Sequence, residues 1–424
     1  MGKHVYLPRL IDKKVEMYLR TFGAVSIEGA KWTGKTRTSL HFSKSSLFLD
    51  DPAGNFQNRS LAELSPELVL SGETPRLIDE WQEAPHLWDA VRHEVDRRAK
   101  KGQFILTGST APVRSGIIHS GAGRIASLRM RPMSLAESKD SSQDISLEAI
   151  CREDFRNLSF SRPDLRELVR LIIRGGWPGS LGLGPAEAAM VPREYLNQII
   201  NHDIYRMEGI HRDTRKMELL LRSMARHEST TASMRTLGRN IREEDGDALS
   251  AITITSYMNL FMRLFLIENQ EAFSSNIRSA TRLKEASKRH FTDPSLAAAL
   301  LNATEEKLIG DLRTLGLLFE ALAIRDLRIY ADAFGAHLYH YQDYANREID
   351  AVLELEDGNW CAFEIKLGAH QIDDAAESLI RIRDSIRAEG GVPPKVLCVI
   401  CGLTGAAYIR KDGVYVVPLT AMTA

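Results

Sequence analysis

A chain of 424 residues with 44% hydrophobic and 26% charged side chains has a globular balance and apolar material for three or four cores, since one domain usually holds about 100–200 residues. Lys+Arg 55 against Asp+Glu 56, a net charge of -1, excludes a nucleic-acid signature spread over the whole chain, and no run of about 18 apolar residues marks a membrane span. Cys151, Cys361, Cys398 and Cys401 are too few for a disulfide framework and read as buried thiols, and the start MGKHVYLPRL lacks a signal peptide's apolar run, so a cytoplasmic protein is expected.

In residues 1–133 the strand-like runs GAVSIEG, SLFLD, RLIDE, QFILTGS and RIASLRM alternate with helical stretches, which predicts a parallel sheet wrapped by helices. From 134 to 206 the pattern turns helical around the break RGGWPG, and a helical lid is expected. Three helix-patterned pieces and a ribbon-like tail over 207–295 predict a winged helix. Residues 296–424 read as helix, hairpin, helix and two strands, a further α/β domain.

Gly29-Ala-Lys-Trp-Thr-Gly34-Lys35-Thr36 matches G-x-x-x-x-G-K-[ST] between a strand and a helix, the context a phosphate-binding loop requires. Gly29, Thr33 and Gly34 belong to the turn that wraps phosphates with backbone N–H groups, Lys35 supplies a cation and the Thr36 hydroxyl a ligand for Mg²⁺. Trp32 is bulky for this loop; it is expected to pack, with stacking on a base as the other reading. Leu77-Ile78-Asp79-Glu80 is an apolar strand ending in two carboxylates: Asp79 orients the magnesium shell and Glu80 polarises the attacking water. Gln103-Phe-Ile-Leu-Thr107-Gly-Ser109 is a further strand whose hydroxyls, Thr107 or Ser109, face the γ-phosphate or form a simple turn. No Asn-Lys-x-Asp guanine reader occurs, which favours ATP.

GAKWTGKT, LIDEWQ, ILTGST and GAGRIASLRMRPMSLAES resemble the AAA-type ATPase of a bacterial and archaeal group known only as ATP-binding proteins. RGGWPGSL, REYLNQIINHDIYR, RHFTDPSLAAAL and REIDAVLELEDGNWCAFEIKLG resemble the C-terminal region of unknown function that follows it there. The resemblance implies that Asp79 and Glu80 are the Walker B pair, Ser109 the sensor, and Arg124 a sensing or trans-acting arginine.

Glu320, Asp350 and Glu364-Ile365-Lys366 resemble the PD-D/E-x-K nuclease core, where Asp350 and Glu364 hold Mg²⁺ and the lysine positions a water. Along REIDAVLELE and WCAFEIKL the apolar residues hold odd positions, so burying both sets on one face requires paired numbers with an even sum. A three-residue loop, Asp357-Gly358-Asn359, then pairs 350 with 366 and gathers Asp350, Glu364 and Lys366 on the face opposite Phe363, near Glu320. Residues 212–242 carry eight basic against three acidic side chains, and Arg278, Arg282, Lys284, Lys288 and Arg289 form a second basic cluster; both are expected to face phosphates. Together these features predict a multidomain α/β protein: a P-loop AAA-type ATPase core, a helical lid, a winged helix and a restriction-endonuclease-like α/β domain. Its expected ligands are ATP and Mg²⁺, its partner DNA, and its assembly a homo-oligomer away from membranes. The alternatives are an ATP-gated Mg-dependent nuclease and a nucleotide-switched scaffold that binds proteins.

Overall fold

Residues 6–110, 118–204, 213–246, 249–274, 286–343 and 345–424 are described by a computed structural model, and the chain divides into two units, Met1–Pro132 with Phe261–Leu266, and Met133–Leu260 with Ile267–Ala424. Three segments that the sequence divides among lid, winged helix and α/β domain thus fall, but for 261–266, into one unit.

The first unit is built on five strands, β1 (Ala24–Glu28), β2 (Ser45–Phe48), β3 (Arg76–Asp79), β4 (Phe104–Gly108) and β5 (Ile125–Arg129), in the order β2-β3-β4-β1-β5 with every pairing parallel. Parallel strands covered on both faces are apolar throughout rather than alternating, and Phe104, Ile105 and Leu106 are all fully buried. Val25, Ile27, Leu77 and Ile105 pack with Val15 of helix α1 (Asp12–Thr21), whereas Ala24, Ile78, Phe104 and Leu106 pack with Val91 and Val95 on the other side. Each fully buried side chain of this size contributes about 1.5–3 kcal/mol relative to exposure. Because all five strands run one way, their C-terminal ends share one edge, and helix α2 (Lys35–Phe42) starts there directly after β1.

The second unit is organised by a seven-stranded mixed sheet. Strands β6 (Ile145–Ser146) and β7 (Leu158–Ser159) come early in the unit, before β8 (Ile267–Gln270) and β9 (Lys288–Phe291); then follow β10 (His337–Gln342), β11 (Glu348–Glu354), β12 (Trp360–Lys366), β13 (Val396–Cys401), β14 (Ala406–Ile409), β15 (Tyr415–Pro418) and β16 (Met422–Thr423). The sheet order is β10-β11-β12-β13-β15-β14-β7, while β6 pairs with β16. The stretch expected as a separate lid therefore supplies an edge strand to the C-terminal sheet, as well as helices α3 (Leu165–Arg174) and α4 (Pro185–Gln198). Buried ionic bonds fasten the same parts: Arg325 bonds Asp293 at 2.8 Å and Asp326 at 2.7 Å, Asp293 accepts from the Gly176 N–H at 2.9 Å, and Asp326 from the Leu135 N–H at 3.0 Å.

Between them lie helices α5 (Thr214–Arg226), α6 (Met234–Asp245) and α7 (Ala251–Arg263), capped at α5 and α6 by Asp213 and Ser233. Strands β8 and β9 pair antiparallel, and Thr230 bridges to Arg289 of β9. Helix α8 (Leu312–Ala333) precedes β10, and helix α9 (Ile372–Ala388) follows β12. Strand β10 was not legible as a separate strand, because HLYHYQ lacks an apolar alternation and carries a bulge between Tyr339 and Tyr341.

The β11–β12 hairpin keeps the predicted parity with a different register. Ala351 pairs with Phe363 and Leu353 with Cys361, so Asp350 stands opposite Glu364 and not Lys366. The loop is Glu356-Asp357-Gly358, closed by the Leu355 N–H to Asn359 carbonyl bond of 2.8 Å, with Gly358 at φ +80°. Both faces of this hairpin are covered: Ala351, Leu353 and Phe363 are buried, but so are Val352, Trp360 and Ala362, which pack with Leu379 and Ile382 of α9. The odd residues alone therefore did not define the core, and the turn settled the register two residues away.

Candidate functional site

Residues at the shared C-terminal edge of the first sheet converge. Gly29 and Gly34 hold φ of +154° and +101°, values open to glycine. The Lys35 side chain is buried and its Nζ donates to the Ala30 carbonyl at 2.8 Å, while the Thr33 hydroxyl donates to the same carbonyl at 2.9 Å. Burial lowers the Lys35 ammonium to about 8, against the opposing pull of Glu80 and Asp79. Thr36 Oγ1 lies 3.3 Å from Asp79 Oδ2, and Thr107 donates to Asp79 Oδ1 at 2.5 Å. Burial raises the Asp79 carboxyl to about 6, which Thr107 only partly offsets.

Glu80 sits just past the strand in the left-handed region, φ 54°. Its N–H donates to Thr107 Oγ1 at 3.0 Å, and its Oε2 accepts from Ser109 at 2.8 Å and from Gln82. Thr107 thus tethers both acids, and Ser109 bonds the second one. Gln82 of the LIDEWQ stretch completes this set, and nothing in its local pattern announces it. Arg9 was missed as well: 8% exposed, it donates to the Thr33 carbonyl at 2.7 Å and to the Arg131 carbonyl at 2.8 Å, bracing the loop from the N-terminal segment.

Two expectations need correction. Trp32 does not pack: it is 63% exposed at φ 65°, because a glycine-like backbone turn at this position aims the indole outward. Arg124 precedes β5 and its carbonyl accepts from the Ala24 N–H, so it stands at the opposite end of the sheet from Gly29, on the order of 20 Å along the strands. Its guanidinium bonds Asp96 at 2.9 Å, which removes it from nucleotide sensing in its own subunit.

Magnesium prefers hard oxygen donors and is held by one or two carboxylates together with substrate phosphates. The Thr36 hydroxyl and the Asp79 carboxylate, side by side and next to Lys35, fit that ion.

In the second unit Asp350, Glu364 and Lys366 share a small region, with Lys366 Nζ 2.7 Å from Glu364 Oε1 and 3.5 Å from Asp350 Oδ2. Asp350 Oδ2 also accepts from the Ile365 N–H at 2.8 Å. Burial pushes the Glu320 and Glu364 carboxyls to about 8, whereas at Asp350 Lys366 and Lys288 outweigh burial and hold the carboxyl below its usual range. Lys288, expected to face phosphates, is buried and bonds Glu320 at 2.9 Å and Glu348 at 2.7 Å. Arg289 is spent on the Ala232 carbonyl. Arg278, Arg282, Lys284 and Arg212 lie outside the described residues. Among the described residues no group of three or more His, Cys, Asp or Glu is disposed to hold a metal ion, so the Mg²⁺ ligation expected of Asp350 and Glu364 does not fit this arrangement: lysine ammonium groups neutralise it.

In the first basic stretch Arg215, Arg222 and Arg226 pair with Asp245, Glu218 and Glu244. Arg235, Arg239 and Arg242, at i, i+4 and i+7 of α6, instead line a cavity of about 520 Å³ with Gly238, Leu249 and Ile254. All four cysteines are buried free thiols, and among the described residues no helix is long and apolar enough to cross a membrane.

Residues 21–139 match the AAA domain family. That match lies almost wholly within the first unit, and the parallel sheet with its loop after β1 agrees with a P-loop fold of this type. Two families described as domains of unknown function match further on, DUF8612 over 165–307 and DUF4143 over 315–422. Uncharacterized proteins of Mycobacterium bovis and Mycobacterium tuberculosis are each 23% identical over 346 residues, 81% of this chain and 70% of theirs. Among solved structures, a Walker-type ATPase of Pyrococcus abyssi is similar at TM-score 0.42 and 10% identity, covering 71% of this chain and 97% of that one. The ORC1 protein of Aeropyrum pernix in complex with DNA is similar at TM-score 0.26 and 13% identity, covering 73% and 97%.

Proposed function

We propose that the chain is an ATPase whose hydrolysis cycle works on DNA through its second unit. The observation that carries the ATPase reading is the convergence of Lys35, Thr36, Asp79, Glu80, Thr107 and Ser109 at one edge of a parallel sheet. Backbone N–H groups of the Gly29–Lys35 loop cradle the phosphates, and Lys35 leaves the Ala30 carbonyl to meet the outer ones. Thr36 and Asp79 would hold Mg²⁺, which when bound neutralises phosphate charge. Glu80 orients and polarises the attacking water, and Ser109 with Gln82 fixes its carboxylate meanwhile. An arginine from a neighbouring subunit neutralises the transition state, so turnover depends on homo-oligomer assembly; such an arginine is worth about 10³–10⁵ in rate.

Support for DNA comes from the arrangement of α5, α6, α7 and the β8–β9 ribbon with its Thr230 bridge, which reads as a winged helix, and from the exposed arginines of α6, whose forked guanidinium groups suit phosphates. Helix α8, the β11–β12 hairpin and α9 read as a nuclease-like fold. ATP turnover measured with and without single-stranded, duplex and branched DNA tests the reading. Lys35→Ala is expected to lose tight ATP binding and Glu80→Gln to keep binding and lose turnover. Turnover indifferent to every DNA would assign the second unit to a protein partner.

A further inference from the structure

Strand β9 opens on a lysine that the chain buries. Lys288 is 2% exposed, and its Nζ lies 2.9 Å from Glu320 of α8, 2.7 Å from Glu348 and 3.5 Å from Asp350 of β11. The position is fixed from the paired strand too, since Gln270, opposite Lys288 in the β8–β9 register, donates to the carbonyls of Tyr339 at 2.8 Å and Asp350 at 2.9 Å. An ammonium group ringed by carboxylate oxygens occupies the kind of place that a hard divalent cation takes, with the separations of ion pairs instead of the ~2.1 Å of Mg²⁺ ligation.

The centre has donor capacity beyond its two lysines. Lys366 satisfies Glu364 Oε1 at 2.7 Å, but Glu364 Oε2 is buried and accepts no hydrogen bond, in a residue only 8% exposed. Glu320, Glu348, Asp350 and Glu364 thus face Lys288 and Lys366, four carboxyl groups beside two ammonium groups.

We propose that Lys288 is the resident cation of this centre, holding the place between Glu320, Glu348 and Asp350 that a divalent cation would otherwise take, so that the centre binds such a cation only once that ammonium is gone. The inference rests on these contacts and not on the ATPase reading. It means that the chain itself blocks metal-assisted chemistry here and uses the acidic cluster to clamp β9 to α8 and β11.

Mn²⁺ is the probe, added to the nucleotide-free full chain, with free Mn²⁺ counted by electron paramagnetic resonance and thermal unfolding followed in parallel. Lys288→Met, which keeps the side-chain length and removes the charge, is expected to gain a Mn²⁺ site tighter than any in the wild type by at least about tenfold, and its melting temperature should rise with Mn²⁺. Lys288→Arg keeps a cation and is expected to gain nothing. Adding Asp350→Asn to Lys288→Met should abolish the gained site, which separates it from the P-loop. No gained site in folded Lys288→Met overturns the proposal. Should Lys288→Met not fold, the wild type decides: with ATP bound it should hold a single Mn²⁺ per chain, and a second one that disappears in Asp350→Asn overturns the proposal.

Discussion

Asp79 shows how burial sets chemistry at a single side chain. In the nucleotide-free protein its carboxyl is raised to about 6, chiefly by burial, so below that pH it is protonated, and a cation entering beside Thr36 has to displace the proton. Affinity for ATP with Mg²⁺ is therefore expected to fall as pH drops below about 6, approaching tenfold per pH unit for a single linked proton, while above that range it levels off. Calorimetric titration across this window checks it, with Asp79→Asn as reference for protonation of the nucleotide itself; an identical pH profile in that variant would remove the role given to Asp79. Arg9 carries a different kind of prediction. Its guanidinium makes two buried bonds to carbonyls, one of them in the P-loop, so Arg9→Ala should cost roughly 2–3 kcal/mol in urea unfolding and weaken ATP binding together with stability. Loss of neither would mean that the loop holds its shape alone.

At the scale of elements the β11–β12 hairpin is the instructive case. Alternation along each strand made an even pairing sum legible, because a slip of one residue would exchange the two faces. Alternation is blind to a slip of two, and there the turn decided: Gly358 at φ +80° closes a loop of Glu356, Asp357 and Gly358. A Cβ at Gly358 would meet nothing within 4 Å, so Gly358→Ala isolates the backbone cost, about 1–2 kcal/mol. Gly358→Asn should cost less, since asparagine tolerates the left-handed region. Chemical denaturation of both variants tests this, and ATP turnover is expected to stay unchanged because the loop lies in the other unit. Equal stability of Gly358→Ala and the parent would contradict the assigned turn.

For the molecule as a whole, the proposed grip of the second unit on DNA rests on the basic side chains that folding leaves uncommitted. Of the basic stretch over 212–242, three arginines are committed to carboxylates, and Arg235, Arg239 and Arg242 on α6 remain turned to a cavity. Duplex binding should therefore weaken steeply with salt, and replacing Arg235 and Arg239 by alanine should flatten the log-log slope by about 1.8, two phosphate contacts at ~0.9 each. Filter binding or anisotropy over a salt series measures it; an unchanged slope would place the contacts elsewhere. The sequence by itself determined the parallel five-stranded sheet, the phosphate-binding loop and the two acids at the end of β3, because each is written in contiguous residues whose spacing fixes local geometry. It also placed Asp350, Glu364 and Lys366 near one another through strand periodicity. Only the tertiary structure decided that Arg9 braces the P-loop, that β7 joins the C-terminal sheet, and that Lys288 is buried among carboxylates instead of facing phosphates. Those outcomes depend on residues from 24 to about 250 positions apart in sequence, and a charge read along a chain carries no sign of whether folding will surround it with water or with opposite charge.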